Sequence, residues 1–271
     1  DYEQMVDEIS TSESNERLES GAIVIPDGPR LGNKVVAVKH LSQQFDDAKP
    51  LFKDLSFTIP KGALVGIVGG NGMGKSTLFR LLTGELVAEE GSIEIGETVK
   101  IGFVAQSRDS LNARSTVYEE IANGVDTIRL GDRDIPIRAY VSSFNLKGPA
   151  QEKRIENLSG GERNRVHLAK TLSSGANFLL LDEPTNDLDV ETLRSLEEAL
   201  SQFKGSGMII SHDRYFLDRV CTHILAYEGD GETTFFPGTW SEYLEHTKGS
   251  SFGVDKIDGP KTKKFRPLHF F

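Results

Sequence analysis

The chain has 271 residues, of which 37% are hydrophobic, enough for a sizeable core and too many for a disordered chain. Its 31 Lys and Arg against 41 Asp and Glu give a net charge of −10, which disfavours broad binding to a phosphate backbone while leaving room for a local basic contact. One cysteine, Cys221, excludes an internal disulfide framework and a cysteine-built zinc site, and reads as a buried small hydrophobe.

The charge is uneven along the chain. Residues 1–20 carry seven acids against Arg17, and residues 256–271 carry Lys256, Lys261, Lys263, Lys264 and Arg266 against Asp258. Both ends read as linker or tail, the first closed by Pro26, Gly28 and Pro29. The chain starts on Asp1 and not on Met, as expected of a piece of something longer or of a processed product, and its start shows no secretory signal. The longest apolar runs are far below the roughly 18 residues of a membrane-spanning helix, so no membrane-spanning segment is expected.

Between the ends, short Val/Ile/Leu runs alternate with helical patterns. Val35 to Val38, Leu55 to Ile59 and a turn-broken Ile93 to Val104 read as strands. Ala63 to Val68, Phe178 to Leu181 and Met208 to Ile210 are continuous apolar runs, the pattern of strands buried on both faces of a parallel sheet. Leu193, Leu196, Leu200 and Phe203 form one stripe of a helix starting near Asp189. The alternation implies an α/β fold. Residues 107–157 read as an insertion with helical hints at Val117 to Ala122 and Arg138 to Phe144.

Gly69-Gly70-Asn71-Gly72-Met73-Gly74-Lys75-Ser76 fits a phosphate loop. Glycines adopt positive φ and let backbone N–H groups approach phosphates. Lys75 supplies a flexible point charge, Ser76 a hydroxyl for Mg²⁺, and the helix that follows points its N-terminus at the anion. Phe178 to Leu181 ends in Asp182 and Glu183. Ligands of open α/β sheets lie at the carboxyl ends of strands, so Asp182 is expected to hold Mg²⁺ beside the phosphates and Glu183 to orient and deprotonate a water. The bland alternative is a solvated acidic turn.

Leu158-Ser159-Gly160-Gly161-Glu162 opens a helix striped by Val166, Ala169 and Leu172, with Ser159 and Glu162 spaced as a capping box. Glycines at the first two helical positions are poor helix formers, and no structural demand for both is visible in the sequence. They are expected to bare N–H groups as a second anion site. His212, at the end of the strand Met208 to Ile210, reads equally as a structural residue or a γ-phosphate contact. Gln106 alone is a surface glutamine. Phe45, 24 positions before Gly69, is either core or a stacking platform for a base.

In this order the motifs resemble the nucleotide-binding domain of the ABC ATPases. Asp182 to Asp189 (DEPTNDLD), Ser211 to Asp218 (SHDRYFLD) and Phe235 to Trp240 with Tyr243 resemble the ABC-F subfamily in particular, and the likeness, to a second ABC domain, runs from about residue 26 to 247. It implies a P-loop NTPase domain with a mixed sheet core, an antiparallel β subdomain and an inserted α-helical subdomain at about 107–175. The domain would span 33–247, between the end of an interdomain linker (1–32) and a basic tail (248–271). By the resemblance, Gly69 to Thr77 would bind the phosphates of ATP, with Ser76 and Thr77 also near Mg²⁺. Gln106 would sense Mg²⁺ and the nucleophile, Glu183 would be the general base, His212 would touch the γ-phosphate and Phe45 would stack on adenine. Gly70 and Met73 stand where the family more often has Pro and Ala.

ABC-F proteins hold two ABC domains in one chain and act on the ribosome, with its rRNA and tRNA. ATP sits between the phosphate loop of one domain and the signature of the other. Ser159, Gly160, Gly161 and Glu162 would therefore serve a second domain, either one preceding this chain or a homodimer partner. The implied function is an ATP-hydrolysing domain of a translation factor, in the cytoplasm or an organelle matrix. The rivals are a transporter ATPase subunit and a non-catalytic, ATP-gated binding module.

Overall fold

The computed structural model describes residues 22–45, 49–104, 111–130 and 133–248. Three layers of structure follow from the pattern above.

A six-stranded sheet forms the centre. Its order is β11-β10-β3-β9-β8-β5, with β3 Leu64–Val68, β5 Ile101–Val104, β8 Phe178–Asp182, β9 Ser206–Ile210, β10 His223–Gly229 and β11 Glu232–Pro237. All pairings are parallel except that of β10 with β11. Strands covered on both faces read as unbroken apolar runs because successive side chains point to opposite sides. In β8, Leu179 and Leu181 join the core on one face, while Phe178 and Leu180 join the core on the other. The mixed α/β core expected from the sequence is therefore present.

A three-stranded antiparallel sheet lies beside it, in the order β2-β1-β4: β1 Val36–Gln43, β2 Phe52–Ile59 and β4 Glu90–Ile95. The segment Ile93 to Val104 is not one broken strand. Its halves, β4 and β5, enter different sheets, because β4 pairs with β1 and β5 pairs with β8.

Seven α-helices are described: α1 Lys75–Leu82, α2 Val117–Ala122, α3 Ile137–Ser142, α4 Gly160–Leu172, α5 Val190–Ser201, α6 Arg214–Val220 and α7 Trp240–Lys248. Helices α2 to α4 lie in the stretch read as an insertion, where Tyr140, Val141 and Phe144 are fully buried. The insertion also holds a hairpin that the helical reading missed: β6 Thr127–Leu130 pairs antiparallel with β7 Arg133–Pro136.

Residues 22–32 lie against the domain. Ile23, Val24 and Leu31 are buried. The Ile23 amide donates to Ser195 Oγ at 2.5 Å, Lys204 pairs with Asp27 at 3.2 Å, and Asn177 donates to Pro29 O at 2.7 Å and Thr98 O at 2.8 Å. Cys221 is buried, and burial pushes its thiol up to about 12, so it stays an unreactive core group. Among the described residues, no helix is long and apolar enough to cross a membrane.

Candidate functional site

Strand β3 runs straight into the glycine loop, and α1 begins at Lys75. Gly72 and Gly74 hold φ of 77° and 93°, the left-handed region that glycine enters without penalty. Gly74 is constrained twice, since a Cβ there would also sit 2.7 Å from Leu51 Cβ. It caps α1 without any side-chain hydrogen bond, leaving the positive end of the helix uncovered by a side chain. Lys75 is only 8% exposed, and its Nζ donates to Gly69 O at 2.9 Å and Gly70 O at 2.7 Å. Burial lowers its pKa, opposed by the carboxylates of Glu183 and Asp182.

The carboxyl end of β8 brings the acids to the same place. Ser76 Oγ donates to Asp182 Oδ2 at 2.9 Å. Asp182 is buried, and burial raises its carboxyl pKa against the pull of Ser76 and Lys75. The pair offers two hard oxygens beside an ammonium group, a donor set that suits Mg²⁺ bound together with phosphate oxygens. Glu183 follows in a left-handed backbone, φ 52°, which a non-glycine residue holds only under constraint. The constraint is visible, for its amide donates to Ile210 O on β9 at 2.9 Å.

The Glu183 side chain is 7% exposed, and burial raises its pKa. Its Oε2 accepts from the His212 amide at 3.3 Å, and Oε1 lies 3.4 Å from His212 Nε2. His212 itself is 61% exposed in its side chain, so it reaches from the sheet edge into solvent.

These groups share one cleft of about 600 Å³, lined by Phe45, Lys75, Ser76, Thr77, Asp182, Glu183 and His212, with Asn71, Gly72 and Gly74 along its loop side. Phe45 is 43% exposed at the rim, so it is not a core residue. Three further lining residues, Leu51, Asn186 and Ile210, complete the wall. No motif marks Leu51; the only sequence signal is an apolar residue directly after Pro50. Gln106 lies outside the described residues.

The second glycine pair sits elsewhere. None of Ser159, Gly160, Gly161 or Glu162 lines the cleft. The capping box forms as expected: Ser159 Oγ accepts from the Glu162 amide at 3.2 Å, and Glu162 Oε2 accepts from the Ser159 amide at 2.9 Å. The Ser159 amide and then Lys153, 2.9 Å away, hold the Glu162 carboxyl down at about 2. The expectation that no structural demand asks for both glycines is corrected for Gly161. A Cβ there would lie 3.3 Å from both Asp187 Cβ and Asp187 O, tighter than ordinary packing. Asn164 Nδ2 donates to Asn186 O at 2.7 Å and closes the same contact. Sequence reading missed this demand because residues 161 and 187 are far apart in the chain.

Comparison with known proteins agrees with this geometry. Residues 52–186 match the ABC transporter family. The chain is 52% identical to the energy-dependent translational throttle protein EttA of Escherichia coli K12 over 97% of its length and 47% of that protein's. It is 50% identical to the EttA of Mycobacterium tuberculosis H37Rv over 94% of this chain and 45% of that protein. The chain thus spans about half the length of these relatives. Among solved structures it resembles cbiO1 of Clostridium perfringens, part of an ABC transporter complex, with TM-score 0.60 and 23% identity over 83% of this chain and 98% of that one. It also resembles a dimeric ATP-binding cassette bound to ADP and Pi, with TM-score 0.61 and 22% identity over 75% of this chain and all of that one. At that identity the structures speak for the fold alone, but with the matching family and the throttle relatives, of whose length the chain spans about half, the conclusion is plain: the chain belongs to the ABC family, on its ABC-F branch.

Proposed function

We propose that this chain binds ATP with Mg²⁺ in the 600 Å³ cleft and hydrolyses it once a second ABC domain closes over the site. The observation that carries the reading is the convergence of Lys75, the Ser76–Asp182 pair and Glu183 at neighbouring strand ends in one cleft. The loop from Gly69 through Thr77, Met73 included, wraps the phosphates, with the amides from Asn71 onward and the Lys75 ammonium donating to them. Phe45 stacks on the base. Ser76 and Asp182, joined by Gln106, hold Mg²⁺, which when bound neutralises phosphate charge.

Glu183 orients the attacking water and accepts its proton. Its raised pKa suits that task, since a base is most effective when its pKa approaches the working pH. The two contacts from His212 support its holding the carboxylate in place, and the proposed role of its exposed imidazole is to touch the terminal phosphate. The partner domain supplies its own signature residues over this cleft, and Ser159, Gly160, Gly161 and Glu162 serve the partner's. ATP then acts as an adhesive between domains, and hydrolysis releases it.

The domain so defined covers residues 33–247, with 1–32 as the end of an interdomain linker and 248–271 as a basic tail. Relatives named as translational throttles support a role in translation; we infer that it is played on the ribosome with its rRNA and tRNA, in the cytoplasm or an organelle matrix. The test is turnover per chain measured against protein concentration with Mg-ATP. The expected result is slow turnover that rises as chains pair in trans. Full turnover independent of concentration would overturn the shared site, and no affinity for Mg-ATP by calorimetry would overturn the nucleotide reading.

A further inference from the structure

One peptide group in the glycine loop is gripped from both sides. The carbonyl of Gly69 accepts from Lys75 Nζ at 2.9 Å. The amide on the other side of the same peptide plane, Gly70 N–H, donates to Met73 Sδ at 3.1 Å. A thioether is a weak acceptor, but it is soft, unbranched and able to fit an irregular gap.

Met73 is itself braced. It lines a groove of about 460 Å³ between the loop and the β10–β11 turn, together with Leu51, Tyr227 and Gly229. Residue 70 is matched to it: a Cβ on Gly70 would lie 3.0 Å from Met73 Cε and 3.4 Å from Sδ. A Cβ on Gly69 would also meet Sδ at 3.4 Å, besides lying 2.7 Å from Tyr227 Cβ. The sulfur thus fills the space that two bare glycines leave and, among the described residues, gives their shared peptide its side-chain acceptor.

We propose that Met73 is a positioning residue. Its sulfur fixes the plane of the 69–70 peptide, and the Gly69 carbonyl on that plane sets the Lys75 ammonium for the phosphates. With a side chain that packs but does not accept, the Gly70 N–H turns to find water and the carbonyl turns with it, because a peptide is planar. Lys75 then samples more positions, and phosphate affinity falls. The chemical step is spared, since Glu183 and Asp182 hang from β8 and not from this loop. The inference deepens the nucleotide reading above and rests on it.

The experiment compares wild type with Met73→Leu and Met73→Ala. Three quantities are measured: Mg-ATP affinity by calorimetry, kcat and KM under dimer-forming conditions, and amide hydrogen exchange at Gly70. Leucine keeps the volume and loses the acceptor, so thermal melting of Met73→Leu should match wild type. Its Kd and KM should rise about three- to five-fold, the scale of one neutral hydrogen bond. Its kcat should stay within about two-fold, and Gly70 should exchange about five-fold faster relative to its neighbours. Met73→Ala should show the same split with a larger Kd change.

The inference is overturned if Met73→Leu keeps wild-type affinity and wild-type Gly70 exchange. It is also overturned if kcat falls while Kd holds, or if only melting changes. Should Gly70 exchange quicken in Met73→Leu while wild type binds no Mg-ATP, the peptide clamp stands and the nucleotide reading falls.

Discussion

Helices α1 and α4 both have glycine at their starts, as the cap of α1 and as the first two residues of α4, yet those starts are built in opposite ways. Gly74 caps α1 in a left-handed backbone with no side-chain bond, and the adjoining cation is buried beside two acids. Ser159 caps α4 through a closed capping box, and the nearest charges, Glu162 and Lys153, are already paired. The first start is an unfilled set of donors pointed into its own cleft. The second is locally satisfied and presses against Asp187, away from that cleft. The same glycine chemistry therefore leaves one helix start open to a cleft and the other closed by its own cap.

Removing the cation would test the first start most severely. Lys75→Met should weaken Mg-ATP binding by about a hundred-fold or more, the scale of losing charge-assisted bonds to phosphate. Calorimetry checks it, and retained affinity would break the distinction between the two starts. Next comes the base. Glu183→Gln should keep Mg-ATP affinity and lower kcat by about a hundred-fold or more. In wild type, turnover should fall on the acid side as Glu183 takes a proton, with the limb displaced upward because burial raises that pKa. The stability sign is opposite: a raised carboxyl pKa favours the fold below it and disfavours the fold above. Glu183→Gln should therefore melt above wild type at pH 8, with the gap closing toward pH 4.

Gly161→Asp probes the other start. Single-chain Mg-ATP affinity should stay within about two-fold, while turnover under pairing conditions drops about ten-fold, since the damage is delivered to a partner. The smallest effect belongs to the cap. Ser159→Ala should lower stability by about 1 kcal/mol, read from denaturant midpoints. The Glu162 share of that cap is present above the ordinary carboxylate value of 4.5 and is lost as pH falls toward about 2. Glu162→Gln and wild type should therefore converge in stability at low pH.

Much of this was legible in the sequence because it is local. The glycine loop, the acids closing an apolar run and the capping box each lie within eight residues, and each formed as read. What stayed hidden depends on residues remote in the chain. The parting of β4 and β5 into two sheets is decided by their partners, β1 and β8, and not by the turn between them. The β6–β7 hairpin alternates Ile128 and Leu130 over only four residues, too short a period to outweigh helical neighbours. Gly161 looked gratuitous because Asp187 is invisible from position 161. Gly70 and Met73 looked like two separate substitutions until one sulfur was found to accept from one amide.

The stretch 22–32 has a mechanical corollary. It is fastened at Ser195 on α5, at Asn177 ahead of β8 and, through the Gly32 amide donating to Thr98 Oγ1, ahead of β5, so tension applied to residue 22 arrives on the slab that bears Asp182 and Glu183. Any polypeptide joined upstream is hitched like a tow bar to the sheet edge that carries these two acids, with Asn177 as the pin.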